Sequence, residues 1–203
     1  MAKKAIKKTL PCYATHKGLD IIIEGKAFTI YGGSCLHPVH DNAEVYVGLD
    51  VGMTIKPFSG NWSKHPENIY YPIPDMSVPT NPESFKQLIS GLHARLVKGK
   101  KIHVGCIGGH GRTGLVLAAL VKVATGNAKA IDYVRANYCE HAVETYGQVQ
   151  WLSEHFGIDA PETDHYKISA FAHLQTPVLK GHLPHGFAYK VKAVPLADPF
   201  RIL

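Results

Sequence analysis

The sequence predicts an α/β fold. Three observations carry that prediction. Short β-rich runs broken by turn residues fill the N-terminal third, the hydrophobic period becomes helical after Thr80, and a glycine-rich loop then joins an apolar strand to an apolar helix.

The runs DIIIE (20–24), KAFTIY (26–31), AEVYVGLD (43–50) and NIYYPI (68–73) are rich in β-branched and aromatic residues. Gly, Asn and Pro separate them, so they predict strands. The stretch TNPESFKQLISGLHARLVKG (80–99) places Pro82 just inside a helix start and Gly99 just past its end, with Phe85, Leu88, Ile89, Leu92 and Leu96 on one face. A short strand is expected over 101–105. Residues 113–125 are apolar almost all round, which predicts a helix buried inside the domain. NAKAIDYVRANY from Asn127 and TYGQVQWLSEHF from Thr145 predict two further helices, the second opened by a Thr-x-x-Gln capping box. Tyr70, Tyr71 and Trp151 read as core.

A chain of 203 residues with 45% hydrophobic content can bury a sizeable core, and a single domain spanning 1–203 is expected. No internal repeat or low-complexity segment interrupts it. The opening MAKKAIKKTL carries charge with no apolar stretch behind it, and nowhere do about 18 apolar residues run together. A soluble, intracellular protein with no membrane span is the expectation. Cys12, Cys35, Cys106 and Cys139 lack paired spacing, which argues for free thiols in a reducing, cytoplasmic compartment and against a disulfide framework or a Cys-x2-Cys zinc site. The net charge of +6 comes partly from Lys3, Lys4, Lys7 and Lys8, read as a solvated tail. Basicity suits an anionic substrate.

The chemistry concentrates in KIHVGCIGGHGRTGLVLAAL (101–120). Gly108, Gly109 and Gly111 let successive backbone N–H groups converge on one centre, and the following helix adds unpaired amides and its positive dipole end. A phosphate fits that description. Arg112 supplies a planar fork for two oxyanions. Cys106 lies where the same positive elements favour thiolate over thiol, and a thiolate facing a bound phosphorus is a nucleophile.

Residues 106–114, Cys-Ile-Gly-Gly-His-Gly-Arg-Thr-Gly, resemble the Cys-x5-Arg-[Ser/Thr] signature of the cysteine-dependent protein tyrosine and dual-specificity phosphatases. The form is most similar to the Cys-x-x-Gly-x-Gly-Arg-Thr-Gly version of dual-specificity and lipid-type members. PDMSVP (74–79), about thirty residues upstream, resembles the mobile Pro-Asp loop of that family, and AIDYVRANYCEHAVETYGQVQWL (130–152) resembles its helical core. The resemblance covers 43–156 and leaves 161–203 as an extension, in which GFAYKVKAVP (186–195) predicts a strand.

The resemblance implies a central mixed sheet flanked by helices and assigns roles residue by residue. Cys106 is the nucleophile. Arg112 and the amides of Ile107, Gly108, Gly109, His110 and Gly111 hold the phosphoryl oxygens. Asp75 protonates the leaving oxygen and then activates water, Thr113 eases departure of the thiolate, and Gln148 is a candidate to place the water. No cofactor and no metal are implied, because the loop and Arg112 supply the charge stabilisation. The partner is a phosphorylated substrate, a phosphoprotein first, with phosphoinositide, RNA 5'-phosphate or nucleotide substrates open. A non-catalytic phosphate-binding pseudophosphatase also stays open.

Departures and plainer readings stand beside this. Gly105 occupies the position where the family usually has His, with His103 two places back on the same strand face, and Ile73 replaces a Trp common before Pro-Asp. Gly109-x-Gly111-x-x-Gly114 formally matches a dinucleotide-binding loop with Asp132 about 20 residues on, although that acid falls in a helical pattern. Thr113 could cap its helix, and Gln148 could serve only a capping box. His110 reads as a solvent-facing loop residue, or as a partial charge for a second phosphate. Cys35-x-His37-x-x-His40 has a superficial look of metal ligands but no second matching cluster, and a loop at the site's rim is the plainer reading. Cys12 and Cys139 read as buried small residues, or as thiols that could capture an oxidised Cys106.

Overall fold

The computed structural model describes residues 16–37, 39–40, 42–51 and 67–162. The lysine cluster, Cys12 and the strand expected at 186–195 lie outside these residues.

Among the described residues five strands form one mixed sheet, β1 (Leu19–Ile23), β2 (Lys26–Ser34), β3 (Val45–Gly48), β4 (Glu67–Tyr70) and β5 (Ile102–Cys106), in the order β1-β2-β5-β3-β4. β1 and β2 make an antiparallel hairpin with Ile23 opposite Lys26. Glu24 (φ 49°) and Gly25 (φ 77°) form its two-residue turn, both left-handed, as the strand twist requires of so tight a connection. The remaining pairings are parallel, so the C-terminal ends of β2, β3 and β5 share one edge: Gly33 and Gly48 both stand opposite Gly105. Ligand chemistry in such sheets gathers at that edge.

β3 and β4 are shorter than the sequence suggested. Pro72 cannot donate to a ladder, and the pairing of β4 ends at Tyr70, although Tyr71 N still donates to Gly48 O and Ile73 N to Leu49 O. Tyr70 is 51% exposed, which corrects its reading as core; β4 is an edge strand and its outward side meets water. Trp151 is buried as expected.

The described residues also form four helices: α1 (Pro82–Val97), α2 (Gly111–Thr125), α3 (Ala130–Asn137) and α4 (Tyr146–Phe156). Asn81 caps α1 by accepting the Ser84 N–H at 3.0 Å, and Gly99 (φ 79°) lets the chain leave it. Phe85, Ile89, Leu92 and Leu96 are buried along its inner face, each contributing about 1.5–3 kcal/mol of apolar burial. α2 is the hub and packs on α1, α3 and α4. That position explains why Leu115, Val116, Leu117, Ala118, Ala119 and Leu120 are all fully buried. Ile102, Val104 and Cys106 of β5 point into this core, while Tyr46, Val39 and Ala43 form a small cluster of their own.

Candidate active site

The loop 107–110 leaves the end of β5 and enters α2. Its carbonyls are held from outside. The Cys35 N–H donates to Cys106 O at 2.8 Å, the Ser34 hydroxyl donates to Ile107 O, and the Tyr138 hydroxyl donates to Gly109 O at 2.7 Å. A trans peptide points its C=O and the next N–H in opposite directions, and no cis bond is present among the described residues. Pinning those three carbonyls therefore turns the amides of Ile107, Gly108 and His110 away from Cys35, Ser34 and Tyr138. Gly109 makes the bend possible: its φ is 74°, and a Cβ there would come within 2.5 Å of the Gly33 carbonyl carbon.

The Gly111 amide behaves differently from the sequence expectation. It donates to Glu144 Oε2 at 2.8 Å, so this N–H is occupied by a carboxylate of the protein itself. The Glu144 carboxyl is held below the usual carboxylate range by His110 above all, and also by the Gly111 N–H, against the cost of burial. His110 Nδ1 lies 3.7 Å from Glu144 Oε1, an ion-pair distance longer than a good hydrogen bond.

His110 is 3% exposed, which corrects the expectation of a solvent-facing ring. It is the N-cap position of α2 and gives no side-chain cap. Its ring packs instead at 5.0 Å from His16 and 5.7 Å from His141. A sequence reading places a loop histidine outside by default; the burial comes from segments far away in the chain.

Cys106 is buried at the strand end, and the Thr113 hydroxyl donates to its Sγ at 3.2 Å. Thr113 is inside the helix with no exposure, so it is not the cap that its sequence position also allowed. Arg112 is 2% exposed, and both of its terminal nitrogens make hydrogen bonds. Nη1 donates to Asp50 Oδ1 at 2.7 Å and to Ile73 O at 2.9 Å, while Nη2 donates to Asp75 Oδ1 at 2.7 Å. Asp75 sits on an exposed turn closed by Ser77 N to Pro74 O, with Met76 at φ 57°. The Pro-Asp segment thus reaches the arginine of the loop.

Gln148 has two jobs. It completes the capping box of α4 with Thr145, and its Nε2 donates to Ser77 O at 3.1 Å, tying the Asp75 turn to α4. The same amide is the one that the sequence reading names as a candidate to place a water molecule.

Sequence reasoning missed Asp50, Ser34, Glu144 and Tyr138. Asp50 carried a signal: a charge closing an apolar strand run, at the same edge as Cys106 once β3 and β5 pair in parallel. The other three act through backbone groups and leave no spacing to read.

Gly105 has a spatial cause. A Cβ there would meet the Tyr46 hydroxyl at 2.5 Å, so the tyrosine fills the volume that a side chain before Cys106 would need. Burial pushes the Tyr46 phenol pKa well up. His103 is buried, with its pKa lowered to about 4, chiefly by desolvation, and its Nδ1 accepts the His40 N–H at 3.1 Å. Cys35 has its thiol pushed up to about 11, first by burial and then by the nearby Asp50 and Cys106 charges. Cys35, His37 and His40 do not converge as a ligand group among the described residues. Asp132 lies in the first turn of α3 rather than at a strand end, which removes the ribose-binding position of the dinucleotide alternative.

Comparison with solved structures places the fold. The chain is similar to Tk-PTP in its active form, with a TM-score of 0.50 and 30% identity, covering 57% of this chain and 80% of that one. It is similar to kinase associated phosphatase with a TM-score of 0.53 and 15% identity over 72% and 98% of the two chains, a likeness of fold. The fold is that of the tyrosine and dual-specificity phosphatases. No protein-family model matches the chain. Two uncharacterized proteins of Methanocaldococcus jannaschii are 41% and 40% identical over 87 residues, 43% of this chain. The chain spans 54% and 58% of the length of these curated relatives. Among the described residues no single helix of this phosphatase fold is long and apolar enough to cross a membrane.

Proposed function

We propose that the chain is a cysteine-dependent phosphatase of the dual-specificity type that hydrolyses phosphate monoesters through a cysteinyl-phosphate intermediate. The observation that carries this reading is the convergence on one strand end of Cys106 Sγ, the Thr113 hydroxyl 3.2 Å from it, and an Arg112 fork that also holds Asp75 at 2.7 Å.

The phosphoryl group enters the concave side of the loop, where the amides of Ile107, Gly108 and His110 and the Arg112 guanidinium receive its oxygens. Asp50 and the Ile73 carbonyl hold Nη1, so the fork is oriented before substrate arrives. Substrate oxygens compete with Asp75 for Nη2, and the displaced carboxyl turns to the leaving oxygen. The Cys106 thiolate attacks phosphorus in line, the P–O bond to the leaving group breaks, and protonated Asp75 delivers its proton to that oxygen. Water then attacks the cysteinyl-phosphate, Asp75 takes the proton, the S–P bond breaks, and the Thr113 hydroxyl stabilises the departing thiolate.

Phosphoproteins are the proposed substrates, and phosphoinositide, nucleotide or RNA 5'-phosphate substrates are alternatives for the same chemistry. Hydrolysis of an aryl phosphate is the test. Turnover that vanishes in Cys106→Ser supports the proposal. Phosphate affinity without turnover would make the site a binding module, and a panel of phosphopeptides, phosphoinositides and triphosphate-ended RNA then ranks the substrates.

A further inference from the structure

Beside the loop lies a second group of side chains that the phosphatase chemistry leaves unused. One ligand atom from each of His16, His110 and Cys139 falls within 4.8 Å of the other two. They come from three distant places: the segment before β1, the N-cap of α2, and the residue after the C-cap of α3. We propose that His16, His110 and Cys139 form a binding site for a zinc-class divalent cation next to the phosphate-binding loop.

Two imidazoles and a thiol are the donor set of a borderline-soft ion, and carboxylate-loving Mg²⁺ or Ca²⁺ would not choose them. Bonds of about 2.0–2.3 Å in a tetrahedron separate ligand atoms by roughly 3.5 Å, so side-chain rotation of about an ångström closes the group on an ion. An independent observation points the same way: His16 Nε2 is buried and has no hydrogen-bond partner among the described residues. A buried ring nitrogen left without a partner is costly, and a metal bond would satisfy it. Tyr138 stacks on His16 at 4.9 Å and fixes its plane. Glu144, 3.7 Å from His110 Nδ1, is the kind of carboxylate that orients a metal-bound imidazole. On binding, Cys139 releases its S–H proton to solvent and coordinates as thiolate, leaving a fourth position for water. The ion would brace the loop, since Cys139 follows the tyrosine whose hydroxyl holds Gly109 O.

The site does not depend on the phosphatase reading, and its test has its own readout. The full chain is dialysed against buffered zinc, and bound metal is measured by elemental analysis and by competition with a chromogenic chelator. One zinc per chain is expected in the wild type and in Cys106→Ser, with affinity falling at least about tenfold in Cys139→Ser and in His16→Gln. Cobalt(II) added to the wild type should give intense tetrahedral visible bands with a thiolate charge-transfer band, a result that requires no variant to fold. No zinc in the wild type, a weak octahedral cobalt spectrum, or zinc lost in Cys106→Ser but kept in Cys139→Ser would each overturn the proposal. Loss of phosphatase turnover with zinc binding intact would count against the proposed function alone.

Discussion

Asp75 and Arg112 are joined by a 2.7 Å contact between Oδ1 and Nη2, so the residue assigned to acid catalysis rests on the group assigned to phosphate binding. One guanidinium edge cannot serve both at full strength. Asp75→Asn should therefore lower kcat on an aryl phosphate by about 10²-fold while inhibition by inorganic phosphate is kept or strengthened, measured by steady-state kinetics with phosphate as competitor. Weaker phosphate binding in this variant would show that Asp75 orients Arg112 instead of competing for it.

Asp50 answers the buried charge of Arg112 from the other edge, with the two side chains 10% and 2% exposed. Asp50→Ala leaves that guanidinium with a carbonyl and an exposed carboxylate only. A loss of about 3–5 kcal/mol in denaturant unfolding is expected, with a rise in KM, because removing one member of a buried pair strands the other.

Thr113→Val keeps shape and removes the hydroxyl that donates to Cys106 Sγ. Departure of the thiolate should slow more than its attack. Rapid-mixing kinetics should show a burst of leaving group about equal to enzyme, followed by slow turnover; an unchanged single phase would free Thr113 of this role.

Gly105→His introduces the residue that the signature resemblance leads one to expect there, yet the Tyr46 hydroxyl already lies 2.5 Å from the Cβ it would add. The single change should cost about 1–3 kcal/mol through overpacking. Combined with Tyr46→Ala, the double variant should be more stable than the sum of the single losses predicts.

The folded-state pKa of His103 lies near 4, below its unfolded value of 6.5, so the unfolded chain binds the extra proton between these values. The stability from this group is fully present above pH 6.5 and is lost as pH falls toward 4, an effect on the order of 3 kcal/mol. His103→Asn, whose Oδ1 can take over the hydrogen bond from His40 N–H, should flatten that slope in unfolding titrations at stepped pH. An unchanged slope would assign it to other groups.

Hydrophobic period, Pro82, Gly99 and the Thr145 box were enough to place α1, α2 and α4, because these signals are local, whereas Cys106, Arg112 and Asp75 were singled out through the resemblance of 106–114 and 74–79 to a phosphatase pattern. Helix faces and caps are decided within one or two turns of chain. Contacts between segments that meet only after parallel pairing were not legible: Asp50 on Arg112, Glu144 on the Gly111 amide, Gln148 on the Ser77 carbonyl, and Tyr46 in the space beside Gly105. His110 shows the division most sharply. Local pattern is enough to put an imidazole at the start of α2, but its burial among His16, His141 and Glu144 arises only when distant segments pack, because burial is set by which surfaces meet in space and not by neighbours along the chain.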